Sequence, residues 1–235
     1  MNAVQTSDLA LVRGLADTRA TLALWNERPW PVIGRWIAGA FAVATLLLAA
    51  VWLIAELSVA DPGPSTFLGR NDEPALAQVA HVVGRNALVL ALHAMACVAG
   101  FIAGSSLPLE AQRRSGASRW VHEKAGPLAI AFVVAATGFS LVTQAFVLGQ
   151  GMATLGGQLG ISPALLLIGL LPHALPELVA LFLPLAAWMI ASRRRDWHEL
   201  LAATVVTVML AVPVLVAAAF VEVYVSPGVL LALAG

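Results

Sequence analysis

Residues 35–57 read RWIAGAFAVATLLLAAVWLIAEL, with charge only at Arg35 and Glu56. A helix needs about 20 mostly apolar residues to cross bilayer hydrocarbon, and this stretch supplies them. Working outward, residues 86–107, 126–149, 161–192 and 200–225 satisfy the same condition. The run 161–192 is too long for one plain crossing and holds Pro163, Pro172, Pro176 and Pro184. Each proline removes a backbone donor. The expectation is a short partial helix over 163–171, a break at Pro172, and a true span over 174–192. The glycine-rich segment from Gly149 to Gly160 permits a tight re-entry before it. A broken helix at membrane depth must be buried in protein or line a wet cavity.

The sequence therefore predicts an all-α polytopic membrane protein. Its five transmembrane helices occupy 35–228, after a cytoplasmic amphipathic segment over 1–34 and before a short external tail over 229–235. A broken, re-entrant segment is expected ahead of the fourth span. Residues 6–26 carry the amphipathic pattern, with Leu11, Leu15, Leu22 and Trp25 at helical spacing. Thr6, Ser7 or Asp8 can cap that helix. It either lies along the membrane surface or packs on another cytoplasmic segment. Pro29-Trp30-Pro31 ends it and sets an aromatic at the interface.

Composition agrees. Of 235 residues, 60% are hydrophobic and 11% charged, against about a quarter charged in a soluble domain. Net charge is zero, so no global field attracts nucleic acid. Cys97 is the one cysteine, which excludes an internal disulfide and a multi-cysteine zinc site. The bias to Arg over Lys, with the Ala and Leu richness, suggests a GC-rich bacterial genome. The first apolar run begins near Ile37, too late for a signal peptide. Ser58-Val59-Ala60 looks like a cleavage site by coincidence, and the first span is read as an uncleaved anchor.

Orientation follows from Arg and Lys in the loops. Eleven of the thirteen basic residues fall in the N-terminal segment and in the loops after spans two and four; Arg70 and Arg85 fall on the other side. Five spans place all eleven in the cytoplasm, with the N-terminus inside and the C-terminus outside, in the cytoplasmic membrane.

Ionisable residues within spans are costly and each is a functional hypothesis. His173 and Glu177, four apart, share one helical face. Glu222 lies near the outer end of the fifth span, Asn86 beside Arg85 at the start of the second, and Gln144 and Gln150 at the end of the third. Spans two to five thus each offer a polar group at similar depth. The cluster can clamp helices, with His173 bonded to Glu177 or Glu222. It can also serve partner binding or conduction. One His with two Glu could suit zinc, but no second His stands at ligand spacing, and neither metal nor cofactor is expected. No nucleophile elbow, HExxH or phosphate loop occurs. His93 reads as a packing histidine. Trp120, Trp188 and Trp197 read as interfacial belt residues. Ala96, Gly100 and Gly104 give span two a small-residue face for helix packing.

Pro172-His173-Ala174-Leu175-Pro176-Glu177-Leu178 resembles the Pro-His-Gly-x-x-Glu-Leu signature of the stage II sporulation protein M family. Asn86 opening span two, the segment Gly149-Gln150-Gly151-Met152-Ala153, and Ala218-Ala219-Phe220-Val221-Glu222 followed by Ser226-Pro227 resemble further family elements. The resemblance runs from about residue 35 to 228. Ala174, Pro176 and Gln150 depart from its pattern. It implies five transmembrane helices and a non-enzymatic scaffold for envelope-acting partners, since the named family member anchors peptidoglycan-degrading enzymes. A homo-oligomer is compatible with it. Two competitors stand beside this expectation: a transporter or exporter subunit working with a separate ATPase, and an intramembrane hydrolase using His173, Glu177 and Glu222.

Overall fold

A run of apolar residues without polar breaks has one way to satisfy its backbone in lipid, the helix, and the chain takes it at every opportunity. The computed structural model describes residues 10–60, 74–107 and 115–235. In order they form α1 (Ala10–Glu27), α2 (Trp30–Leu57) and α3 (Ala75–Phe101), which runs into a π turn at Ile102–Ser106. Then come α4 (Gly116–Leu159), α5 (Pro163–Arg194), a 3-10 turn at Trp197–Glu199, and α6 (Leu200–Phe220). A second π turn, Val221–Val225, joins α6 to α7 (Ser226–Ala234). Among the described residues, five helical stretches are long and apolar enough to cross a membrane: Trp30–Leu57, Ala75–Ser105, Gly116–Leu159, Pro163–Arg194 and Trp197–Ala234. The protein is multi-pass.

The helix ends differ from expectation for local reasons. α2 starts at Trp30 because Pro29 opens it: its carbonyl accepts the Val32 and Ile33 N–H groups at 3.1 and 3.0 Å. Pro31 then falls in the first turn, where no N–H is needed. The carbonyl of Pro74 opens α3 the same way, taking the Ala77 N–H at 2.8 Å. The capping positions Thr6, Ser7 and Asp8 lie outside the described residues.

Two expectations around the fourth span are corrected. The glycine-rich segment is not a re-entry loop; α4 continues through it to Leu159. Its glycines serve close approach instead. A Cβ on Gly149 would lie 2.6 Å from Ile54 Cγ2, and one on Gly157 would lie 2.7 Å from Ala60 Cβ. The chain turns only at Gly160, whose φ of +67° favours glycine. The Ile161 N–H reaches back to the Gly156 carbonyl at 3.0 Å, and the Ser162 hydroxyl caps α5 through the Leu165 N–H at 3.3 Å. The break at Pro172 is also absent, since α5 is one helix of 32 residues. Pro163 opens the helix, where no N–H is needed, and Pro172, Pro176 and Pro184 each forfeit a single hydrogen bond, a loss that spanning helices absorb by local adjustment.

The described chain divides into two units. The first comprises residues 10–39, 90–107, 115–135 and 183–210. In it, the small residues of α3 admit aromatic neighbours. A Cβ on Gly100 would lie 2.7 Å from Trp188 Nε1, and one on Gly104 would overlap the Trp197 ring. Ala96 is buried, as is Cys97, whose thiol donates to the Pro184 carbonyl at 3.1 Å. Trp188 is therefore a core residue, 6% exposed, and not a belt residue, because Gly100 opens a slot for its ring. Trp120 remains exposed. α1 packs here too, with Gly14 against Phe101 and Leu201, while Leu15 and Leu24 face outward.

The second unit comprises residues 40–60, 74–89, 136–182 and 211–235. Val79, Val82 and Ala219 form an apolar cluster with Val83 and Val223 against it. Residues 229–234, expected as a tail, continue helically, and Leu230 and Leu233 press on Gly169.

Candidate functional site

The second unit gathers the polar residues that lipid would reject. His173 sits one turn before Glu177 on α5, and helical spacing points both the same way. Glu222 comes from the second π turn and Ser226 from the start of α7. Arg85 and Asn86 come from α3.

His173 is buried, and its Nδ1 lies 2.8 Å from Ser226 Oγ. The expectation that it bonds Glu177 or Glu222 is replaced by this serine. Ser226 Oγ also lies 3.2 Å from the Val221 carbonyl. A hydroxyl carries one proton, so both contacts are hydrogen bonds together only when Ser226 donates to Val221 and Nδ1–H donates to Ser226. The π turn makes this possible. The Ser226 N–H also returns to the Val221 carbonyl, the wider i to i+5 ring of a π turn. That ring rotates Ser226 off the face it would occupy in an unbroken α-helix.

Glu222 faces α3. Its Oε1 lies 4.0 Å from the Arg85 guanidinium, which is more than half exposed. Glu177 is half-buried and within electrostatic reach of Glu222 and Arg85, with Asn86 beside it. Two atoms here are buried without a hydrogen-bond partner: Asn86 Nδ2 and Glu222 Oε2. One is a donor and one an acceptor.

His173, Glu177, Glu222 and Asn86 therefore share one locality. Gln144 and Gln150 do not join them: Gln144 donates to Ser140 on its own helix at 3.0 Å, and Gln150 is exposed. Both sit mid-helix because α4 continues beyond them. Ala96, Gly100 and Gly104 belong to the first unit, where the two glycines seat tryptophans and Ala96 is buried. His93 is buried on α3. Among the described residues, no group of three or more His, Cys, Asp or Glu side chains is arranged to hold a metal ion. Ser226 entered the sequence reading only within Ser226-Pro227 as part of the family resemblance, and its contact with His173 was missed.

Comparison with known families gives one result. Residues 128–227 match the family model of stage II sporulation protein M. The match takes in the glycine-rich end of α4, the Pro-His signature and the Glu222 element, and stops short of Asn86. No curated protein and no solved structure matches the chain.

Proposed function

We propose that this chain, a stage II sporulation protein M family member through residues 128–227, is a non-enzymatic membrane scaffold that anchors or organises envelope-acting proteins, peptidoglycan-remodelling enzymes among them. The observation that carries this reading is the closure of the polar cluster upon the chain itself. His173 is committed to Ser226, and Glu222 faces Arg85. Groups engaged in holding three helical segments together suit a rigid platform better than a reaction centre. Ser226 and His173 are a hydroxyl–imidazole pair, but with the Ser226 hydroxyl donating to the Val221 carbonyl, Nδ1 carries its own proton and takes none from Ser226. Affinity purification of the full chain from several mild detergents tests it: a stable membrane or envelope partner is expected, and recovery of none overturns the reading.

We place the protein in the bacterial cytoplasmic membrane, N-terminus inside and C-terminus outside, on the loop charges. Reporter fusions at the two ends check this, and equal activity of one reporter at both ends is incompatible with five crossings.

The orphaned Asn86 Nδ2 and Glu222 Oε2 favour a second reading, the membrane subunit of a transporter with a separate ATPase. Co-purification of an ATPase whose activity rises on binding this chain would establish it.

A further inference from the structure

At the arginine-rich end of the first unit, a cavity of about 100 Å³ opens between α1, α2, α5 and α6. Arg35 and Arg194 line it, as do Asp196 and Glu199. Trp25 and Trp36 form one wall, their rings edge to face at 5.1 Å. Ile190, one turn before Arg194, and Ala203, four residues after Glu199, contribute apolar lining.

The local fold fixes these groups. α5 ends with Arg195 at φ 64°, the Asp196 N–H returning to the Ala191 carbonyl at 3.0 Å. This left-handed helix stop turns Asp196 back over the cavity, and the 3-10 turn then carries Glu199 to the same rim. Glu199 is within electrostatic reach of Asp196 and Arg194. Trp36 is buried, whereas Arg35 and Arg194 are exposed.

We infer that this cavity is a binding site for a phosphate ester bearing a primary ammonium, the head of a zwitterionic phospholipid of the phosphatidylethanolamine type. Two guanidiniums match the phosphate, which Arg recognises through paired N–H donors. Two carboxylates accept from an ammonium, and the tryptophan wall offers it an aromatic face. The charges balance: two positive and two negative groups suit a ligand that is neutral overall. A net-anionic head would leave Asp196 and Glu199 uncompensated. A trimethylated head has no N–H to give them. The apolar lining suits the glycerol and first acyl carbons, and tryptophan beside arginine is an arrangement of the headgroup layer.

The test is native mass spectrometry of the purified full chain, delipidated and then mixed with equal amounts of phosphatidylethanolamine, phosphatidylcholine and phosphatidylglycerol. One phosphatidylethanolamine is expected to be retained about tenfold over either competitor, the ratio of one lost charge-assisted contact. The pair Arg35→Gln/Arg194→Gln lowers retention of all three lipids, whose phosphate is common, and Asp196→Asn/Glu199→Gln removes the preference and shifts it toward phosphatidylglycerol. Equal retention of the three lipids by the unaltered protein overturns the inference. So does unchanged phosphatidylethanolamine retention in the arginine pair, or in Arg35→Lys/Arg194→Lys should the glutamine pair fail to fold, and so does an unchanged preference in the carboxylate pair. A final arm adds soluble O-phosphoethanolamine at millimolar concentration. Persistence of the bound lipid supports a bilayer ligand. Binding of the soluble compound with no lipid retained overturns it in favour of a small phosphate ester.

Discussion

Ser226 and His173 stand 53 residues apart in sequence and 2.8 Å apart in space, and this contact ties the start of α7 to α5. Ser226→Ala leaves a buried ring nitrogen without a partner. Thermal unfolding in detergent should record a loss of about 1–3 kcal/mol, the cost of an unsatisfied buried group. Ser226→Thr, which keeps the hydroxyl, should lose less. Equal stability of the alanine variant and the parent would show that the contact contributes nothing.

Asn86 is 2% exposed and its amide stands beside the Glu177 carboxylate. Asn86→Leu removes that polar neighbour from a half-buried carboxylate, so thermal unfolding in detergent should record a loss of about 1–3 kcal/mol. Equal stability of variant and parent would show that the amide does nothing for Glu177.

Glycines of α4 should respond oppositely to alanine. Gly138 would gain a Cβ with nothing within 4 Å, and helix propensity predicts stabilisation by about 0.5–1 kcal/mol. At Gly149 the new atom meets Ile54 and the Val51 carbonyl, and overpacking predicts a loss of about 1–3 kcal/mol. Paired melting curves decide; the same sign at both sites refutes the packing assigned to Gly149.

The two helix stops give another contrast. Gly160 and Arg195 both have φ near +65°, at 67° and 64°. Gly160→Ala should cost about 1–2 kcal/mol, while Arg195→Gly should relieve a comparable strain. Stabilities read from the same unfolding assay should therefore move in opposite directions.

Cys97 is free, fully buried and bonded to the Pro184 carbonyl. In the folded protein it should resist a membrane-permeant maleimide and react once unfolded. Prompt labelling under native conditions would contradict the packing of α3 on α5.

The number of spans was legible because lipid leaves few alternatives: runs near twenty apolar residues and a one-sided loop charge fix it together. Helix ends were less so. Prolines that break a soluble helix sit inside α5, and glycines that read as a loop before α5 lie within α4, because a neighbouring helix occupies the space they leave. Depth alone brought His173, Glu177, Glu222 and Asn86 together, but depth has no azimuth. Ser226 was legible only as half of a Ser-Pro pair, and its contact with His173 was not, since its direction depends on the π turn, which no residue pattern announced. The Trp25, Arg35, Arg194 and Asp196 cavity escaped for a similar reason: its walls come from four segments that share nothing in sequence but their place at span ends.

That same π turn, Val221–Val225, has a bearing on how the chain tolerates change in length. One residue more than an α turn is accommodated there without a loop, the geometry an insertion leaves when both flanking helices keep their places. Removing Val223 would let the turn tighten to α, and everything after it would swing by about 100°. Ser226 would then leave His173, and Leu230 and Leu233 would leave Gly169. The end of the chain is thus keyed to the rest by a count of residues, and a variant of unaltered hydrophobicity but one residue shorter would be out of phase.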